Sequence, residues 1–208
     1  QGEDLTASVL ERAFAATGDA SAGAARPAGR RAGSQPAAHH VALPALDLLV
    51  RRKEGVPLVT LGIYVPRLVS DPPAQAGIGG LAVRAAVRGT EELDAAALAF
   101  AFERLGGTLS PSAATDWAGY SASVLAERMT DAAALLRLVF TGPRYDEAAV
   151  DAERRLMINQ AAQVADDMFR YPFQLAFGAA FCDRDYGVPA GGLPDTLATL
   201  GTGDVRAW

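Results

Sequence analysis

The sequence has 208 residues, half of them hydrophobic, and its 24 acidic residues nearly balance its 19 basic residues. This length suits one domain with a sizeable core, and nothing in the nearly balanced charge suggests the clustered basic surface that nucleic-acid binding requires. Cys182 is the only cysteine, which excludes an intrachain disulfide, and no apolar run is long enough to span a bilayer.

The N-terminal region is predicted to be a short helix followed by a linker. Residues 3–16 place apolar side chains on one helical stripe. Residues 17–40 are small, polar and basic, and they contain prolines and glycines that favour a flexible chain. We therefore assign residues 1–40 to a helix plus an Ala/Gly/Pro linker. His39 and His40 are interpreted as linker histidines rather than metal ligands, because adjacent side chains point in different directions.

Two strands and two helices are predicted next. The runs LDLLVRR and PLVTLGIYV alternate as strands do. A proline-rich loop, residues 66–76, leads to GIGGLAVRAAVRGT, residues 77–90, which is typical of a glycine-marked turn followed by a helix. A second helix runs to Leu105, where Gly106-Gly107 ends it.

Residues 108–125 are predicted to form two further strands, the second with Trp117 and Tyr120 in the core. Thr130 is the predicted cap of the next helix, which Gly142-Pro143 ends. A long helix is predicted to begin at Asp146, and its apolar stripe comprises Met157, Ala161, Val164 and Met168. The next helix, residues 170–182, is expected to end with a buried Cys182.

Strands and helices in this order are grouped rather than strictly alternating. Such grouping predicts an α+β fold with a largely antiparallel sheet covered by helices.

Several spaced segments carry a resemblance to a known family. They are LPALDLLVRR, SDPPAQAGIGGLA, RGT, AFERLGGTLS, TDWAGYSASVL, DAAALLRLVFTGPRYDEAAVDAERR and YGVPAGGLPDTLATLGTGDVRAW. In sequence and spacing they resemble the pitrilysin/insulinase family of zinc metallopeptidases over about residues 42–208. The resemblance implies a pitrilysin-like domain over residues 41–208, with further strands expected beyond residue 208.

Catalytic members of this family carry an inverted zinc motif, H-x-x-E-H, on the first helix. The two histidine positions correspond here to Gly80 and Arg84, and the general-base position corresponds to Val83. The third ligand, expected 76 residues beyond the second histidine, corresponds to Gln160. Glycine and valine have no ligand atom, and arginine is permanently cationic. The resemblance therefore implies a non-catalytic half with no metal of its own.

Other positions near this motif have two possible roles each. Arg84 is a candidate for holding a substrate carboxylate, although a solvated helix position is the commoner role. Glu153 matches the acidic position of the family's E-x6-E pattern; it is either a relic that pairs with Arg84 or, as we expect, an exposed helix charge. Gly77 and Gly79 either contact peptide in a mobile loop or form a tight turn.

Two functions remain open at this stage. The first is a half that closes a peptidase chamber and helps to bind extended peptide, with zinc expected in a catalytic pitrilysin-type half, in the same chain or in a separate subunit. The second is an assembly protein on the same scaffold, with no proteolytic partner. An active peptidase with a displaced metal site lacks a ligand set. The compartment stays open between bacterial periplasm and cytoplasm.

Overall fold

The computed structural model describes residues 38–44 and 46–208, so the predicted helix at residues 3–16 and most of the linker lie outside the described residues. The chain divides into two compact units, residues 1–57 and 58–208. In the first unit, β1 (His39–Ala42) pairs with antiparallel β2 (Asp47–Val50). His40 Nε2 lies 2.6 Å from Asp47 Oδ1. Both histidines are therefore strand residues, and β1 begins before the linker boundary that we drew from composition.

The second unit contains an antiparallel sheet of three strands. They are β3 (Leu58–Pro66), β4 (Thr108–Ala113) and β5 (Trp117–Leu125), in the order β3–β5–β4. Alternating apolar residues put one face of the sheet into the core, as the sequence predicted. Within the described residues, β4 lies at one edge of this sheet.

Helices follow the strands in groups. Their bounds are α1 (Ile78–Ala86), α2 (Ala95–Arg104), α3 (Met129–Thr141), α4 (Glu147–Ala165), α5 (Arg170–Phe181), α6 (Pro194–Thr199) and α7 (Thr202–Ala207). Short 3-10 turns lie at Pro73–Gln75, Ala126–Arg128 and Asp185–Gly187. The grouped elements and the antiparallel sheet confirm the predicted α+β class. No helix among residues 38–44 and 46–208 combines the length and the apolar character that crossing a membrane requires.

Helix α1 occupies the centre of this unit. Val83 and Ala86 pack in a core with the sheet, α2 and α3. Ile78 and Leu81 pack in a second core against α4, α6 and α7. Eight of the nine residues of α1 are buried, and Arg84 is the remaining one. The helix is therefore apolar nearly all round because protein surrounds it nearly all round.

Two predictions about helix ends were wrong. Helix α3 begins at Met129, directly after the 3-10 turn, so Thr130 lies inside the first turn and the capping position falls on Arg128. Helix α4 ends at Ala165, so Met168 lies beyond it and is 77% exposed. Helix α3 thus begins one residue before Thr130, and α4 ends before its predicted apolar stripe does.

The predicted burial of Trp117 and of Cys182 was also wrong. Trp117 lies three residues before Tyr120, an odd spacing that points the two side chains to opposite faces of β5. Tyr120 is buried as predicted, and this burial, with a smaller contribution from Tyr145, raises its pKa. Trp117 is instead partly exposed beside Tyr64, with ring centroids 5.3 Å apart. Cys182 is exposed at the end of α5, a helix with no buried residue, and the chain leaves the helix there in a left-handed conformation with φ of 51°.

Candidate functional site

A buried carboxylate fixes the start of α1. Asp71 Oδ2 accepts hydrogen bonds from the N–H groups of Gly77, at 3.2 Å, and Gly79, at 3.3 Å. Arg67 pairs with the other oxygen of Asp71, and both side chains are buried. Gly77 has a φ of 93°, which favours glycine. The structure thus gives both glycines a place in a tight, buried turn, and their contact with peptide stays a prediction.

The four positions that correspond to the zinc motif lie on two packed helices. Gly80 and Arg84 are one turn apart on α1, and Gln160 lies on α4. Val83 is buried in the core that faces the sheet. The structure therefore brings Arg84 to Gln160 and places Val83 among apolar neighbours.

Arg84 connects the two helices. Its Nε donates to Glu153 Oε2 at 2.9 Å, and its Nη1 donates to Gln160 Oε1 at 2.8 Å. Arg88, just after α1, donates from Nε to the other oxygen of Glu153 at 2.5 Å. One carboxylate is therefore held by two guanidinium groups, an arrangement that balances a charge out of contact with water.

Glu153 is not the exposed helix charge that we preferred from sequence. Only 2% of the residue is exposed, and its carboxylate pairs with both arginines. The alternative interpretation, pairing with Arg84, is the one the structure supports. The exposed interpretation failed because the two arginines approach Glu153 only when α1 packs on α4.

These residues do not fit a zinc ion. Gly80 and Val83 offer no ligand atom, and the Gln160 amide oxygen already accepts from Arg84. A Cβ at Gly80 would lie 2.9 Å from the Ala190 carbonyl oxygen, so the space for a histidine is occupied. No group of three His, Cys, Asp or Glu side chains among residues 38–44 and 46–208 is placed to hold a metal ion.

A cavity of about 610 Å³ lies between α1, α2, α4 and the edge strand β4. Arg84, Arg88 and Glu153 contribute its charged wall on the α1 and α4 side. Leu98 and Phe102 of α2 contribute apolar surface, and β4 lines it from Thr108 to Ala113. The cavity therefore combines apolar surface, a cluster of two arginines and one glutamate, and a strand edge.

The hydrogen-bond register shows what the edge of β4 presents. Ala114 N–H donates to the Trp117 carbonyl at 2.8 Å, just beyond the strands. Because bonded and non-bonded pairs alternate in an antiparallel ladder, the backbone groups of Leu109, Pro111 and Ala113 point away from β5. Pro111 has no N–H to donate. The edge thus offers backbone N–H donors at Leu109 and Ala113, and it lacks a donor at Pro111 between them.

Sequence reasoning missed Arg88 and Pro111 as site residues. Arg88 stands one turn after Arg84, and this spacing on a helix face was the signal that could have paired them with one acceptor. A proline within a predicted strand indicates an edge position. That signal was present in TLSPSA, residues 108–113.

Comparison with known families agrees with this geometry. The sequence model of the insulinase family, peptidase family M16, matches residues 49–177, more than half of the chain. The chain belongs to peptidase family M16. No curated protein sequence matches it.

Several proteins of known structure share the fold. A protease from Helicobacter pylori has a TM-score of 0.68 at 14% identity, over 83% of this chain and 42% of its own. A structure described as the peptidase M16 inactive domain from Pseudomonas fluorescens has a TM-score of 0.69 at 15% identity, over 82% and 42%. The periplasmic protease PqqL from Escherichia coli has a TM-score of 0.69 at 16% identity, over 82% and 20%. The chain thus spans less than half the length of these proteins.

Proposed function

We propose that this chain is a non-catalytic half of an M16 peptidase, which closes the chamber and helps to bind extended peptide for a catalytic half. The observation that carries the proposal is the arginine-centred cluster at the position of the zinc site. Arg84, Glu153 and Gln160 satisfy one another there, and neither Gly80 nor Val83 can bind metal or transfer a proton. In this proposal zinc belongs to the catalytic half, which is part of the same protein or a separate subunit.

The cavity beside β4 supports peptide binding. An extended peptide can add to a sheet edge through backbone hydrogen bonds, which place little demand on its sequence. The outward groups of Leu109 and Ala113 supply a donor and an acceptor each, and Pro111 supplies an acceptor. Arg84 and the half-exposed Arg88 would line the path of the peptide side chains. Gly77 and Gly79 are buried at the start of α1, where their N–H groups donate to Asp71, and their contact with peptide remains part of the proposal.

An exposed apolar stripe supports a partner. Phe169, Phe173, Phe177 and Phe181 are spaced four residues apart, which places them on one side of α5 and the turn before it. Their exposure ranges from 42% for Phe181 to 74% for Phe169. Contiguous apolar surface of this kind is typical of a protein interface. In the proposal, the phenylalanine stripe contacts the catalytic half.

Hydrolysis of an unstructured, quenched-fluorescent peptide tests whether this chain is inactive without a catalytic half. We expect no hydrolysis by this chain alone, with or without added zinc, and hydrolysis when a catalytic M16 half from the same cell is added. Zinc-dependent hydrolysis by the isolated chain, abolished by a chelator, would contradict the proposal.

Substitution of Pro111 tests the peptide path. Pro111→Ala adds one backbone donor to the edge, so affinity for a fluorescein-labelled Thr/Val-rich peptide should rise by about 2- to 10-fold, the effect of one net hydrogen bond. Pro72→Ala, at an exposed loop position away from the cavity, is the matched control and should change nothing. Equal affinities for the two variants would place the peptide elsewhere.

A second function, an assembly protein with no proteolytic partner, is favoured by the donor gap at Pro111 together with the phenylalanine stripe. That combination weakens strand addition while keeping an apolar contact surface. Purification of the native complex separates the two functions. A partner with an intact H-x-x-E-H motif favours the peptidase, and partners without one favour assembly.

A further inference from the structure

We propose that the Arg84 guanidinium replaces a metal ion as the link between α1 and α4, and that the Ala190 segment has closed the space of the first metal ligand. The fold would then be stable without zinc, and restoring ligand side chains would not restore a zinc site. This inference depends on neither a partner nor a substrate, so it can fail or succeed independently of the proposed function.

The link has the geometry that a bridging cation needs. The planar guanidinium of Arg84 directs Nε to Glu153 and Nη1 to Gln160, two positions separated by two turns of α4. In catalytic members of the family, the corresponding positions would hold a zinc ion between the same two helices. A guanidinium makes several directed hydrogen bonds from one rigid group, which a lysine ammonium cannot reproduce.

Burial makes this link important for stability. The Glu153 side chain is 3% exposed, whereas those of Arg84 and Arg88 are 30% and 50% exposed. If Arg84 were removed, Glu153 would keep only the more solvated Arg88 as a partner. A buried carboxylate that loses a charged partner is strongly destabilising, whereas replacing both partners with apolar groups is often neutral.

The space for a side chain at residue 80, the position of the first metal ligand, is closed by steric contact. At Gly80 a Cβ would lie 2.9 Å from the Ala190 carbonyl oxygen and 3.1 Å from Met157 Cε. The methionine end can move, but the carbonyl belongs to the backbone before α6. Any side chain at residue 80 must therefore displace that segment. At Gly203 in α7, by contrast, nothing lies within 4 Å of the added Cβ.

Thermal unfolding of the 208-residue chain tests the link. Arg84→Met should lower Tm by about 10 °C, whereas Arg155→Met, at an exposed position of α4, should leave Tm nearly unchanged. Arg84→Met combined with Glu153→Leu should recover most of the loss. Equal Tm values for Arg84→Met and Arg155→Met would overturn the link. If Arg84→Met does not fold, a folded double variant supports the link and an unfolded one overturns it.

Alanine substitution of two glycines tests the closure. Alanine in a helix is normally more stable than glycine, so Gly203→Ala should raise Tm slightly. Gly80→Ala should instead lower Tm by about 5 °C because its Cβ overpacks against Ala190. A rise in Tm for Gly80→Ala would overturn the closure.

Zinc titration completes the test. We compare Arg84→His/Gln160→Glu with the same variant carrying Gly80→His, and measure bound zinc and the Tm with and without the metal. The added histidine should lower Tm or prevent folding, and zinc should not reverse this. One zinc per chain with a raised Tm in the triple variant would overturn the proposal. If neither variant folds, the Tm values of Gly80→Ala and Gly203→Ala decide whether the space at residue 80 is closed.

Discussion

Helices α1 and α5 are both rich in apolar residues, yet their surroundings are opposite. Eight of the nine residues of α1 are buried, whereas no residue of α5 is. Helix α1 lies between the sheet and α4, α6 and α7, while α5 contacts α4 and the 3-10 turn at Asp185–Gly187. Apolar composition therefore measures how much surface a helix can bury, and neighbouring elements decide whether this chain buries it.

The largest expected difference between the two helices is in stability. Leu81→Ala on α1 removes a side chain that is 0% exposed, and should lower the free energy of unfolding by about 2–5 kcal/mol. Leu175→Ala on α5, where the side chain is 56% exposed, should change it by less than about 0.5 kcal/mol. Urea denaturation of both variants measures the difference. Similar losses in the free energy of unfolding would show that α1 and α5 do not differ in their contribution to stability.

The next effect concerns the proposed binding of a catalytic half. Phe173→Glu places a charge in the phenylalanine stripe and should weaken this association about 10-fold or more, because central apolar anchors dominate interfaces. Phe100→Glu, at a similarly exposed position of α2, is the matched control. Both variants should keep the stability of the original chain. Calorimetric titration with the catalytic half measures the affinities, and equal weakening by both substitutions would place the interface elsewhere.

The smallest effect is a pH dependence at the start of α5. Hydrogen bonds from the backbone N–H and side chain of Arg170, and then from the Phe169 N–H, lower the pKa of Asp167 from 3.8 to about 2. Because the folded pKa is depressed, this stabilisation is present above pH 3.8 and is lost as the pH falls toward 2. Circular dichroism should show a loss of helix in this window.

Asp167→Asn keeps a capping side chain but cannot titrate, so its helix content should change less over the same window. Asp166→Asn, at the neighbouring exposed position, should behave like the original chain. If Asp167→Asn and the original chain lose helix in parallel, Asp167 is not the responsible group.

Sequence predicted the fold class and the order of the elements well, because periodicity and glycine-marked ends are local properties. The strands that contain Val59 and Val124, and the helix that contains Leu98, all lie where alternation or helical spacing placed them. Family resemblance also directed attention to Gly80, Arg84 and Gln160, and the structure joins the last two by a hydrogen bond between α1 and α4.

Burial and partners were less predictable, because they depend on contacts between distant parts of the chain. Glu153 is 69 residues from Arg84 in sequence, and nothing local to α4 shows that a guanidinium covers it. Met168 fits the helical stripe of α4, but the helix ends first. Exposure of Cys182 was not predictable either, because the apolar composition of α5 does not show that no neighbouring element buries this helix.

The proline in β4 also affects how copies of this chain behave toward one another. A bare strand edge is a template on which identical edges pair and fibres grow. With no N–H at its midpoint, the β4 edge cannot form a continuous ladder with a second β4. Pro111 should therefore limit edge-to-edge pairing of β4 between copies of this chain at high concentration.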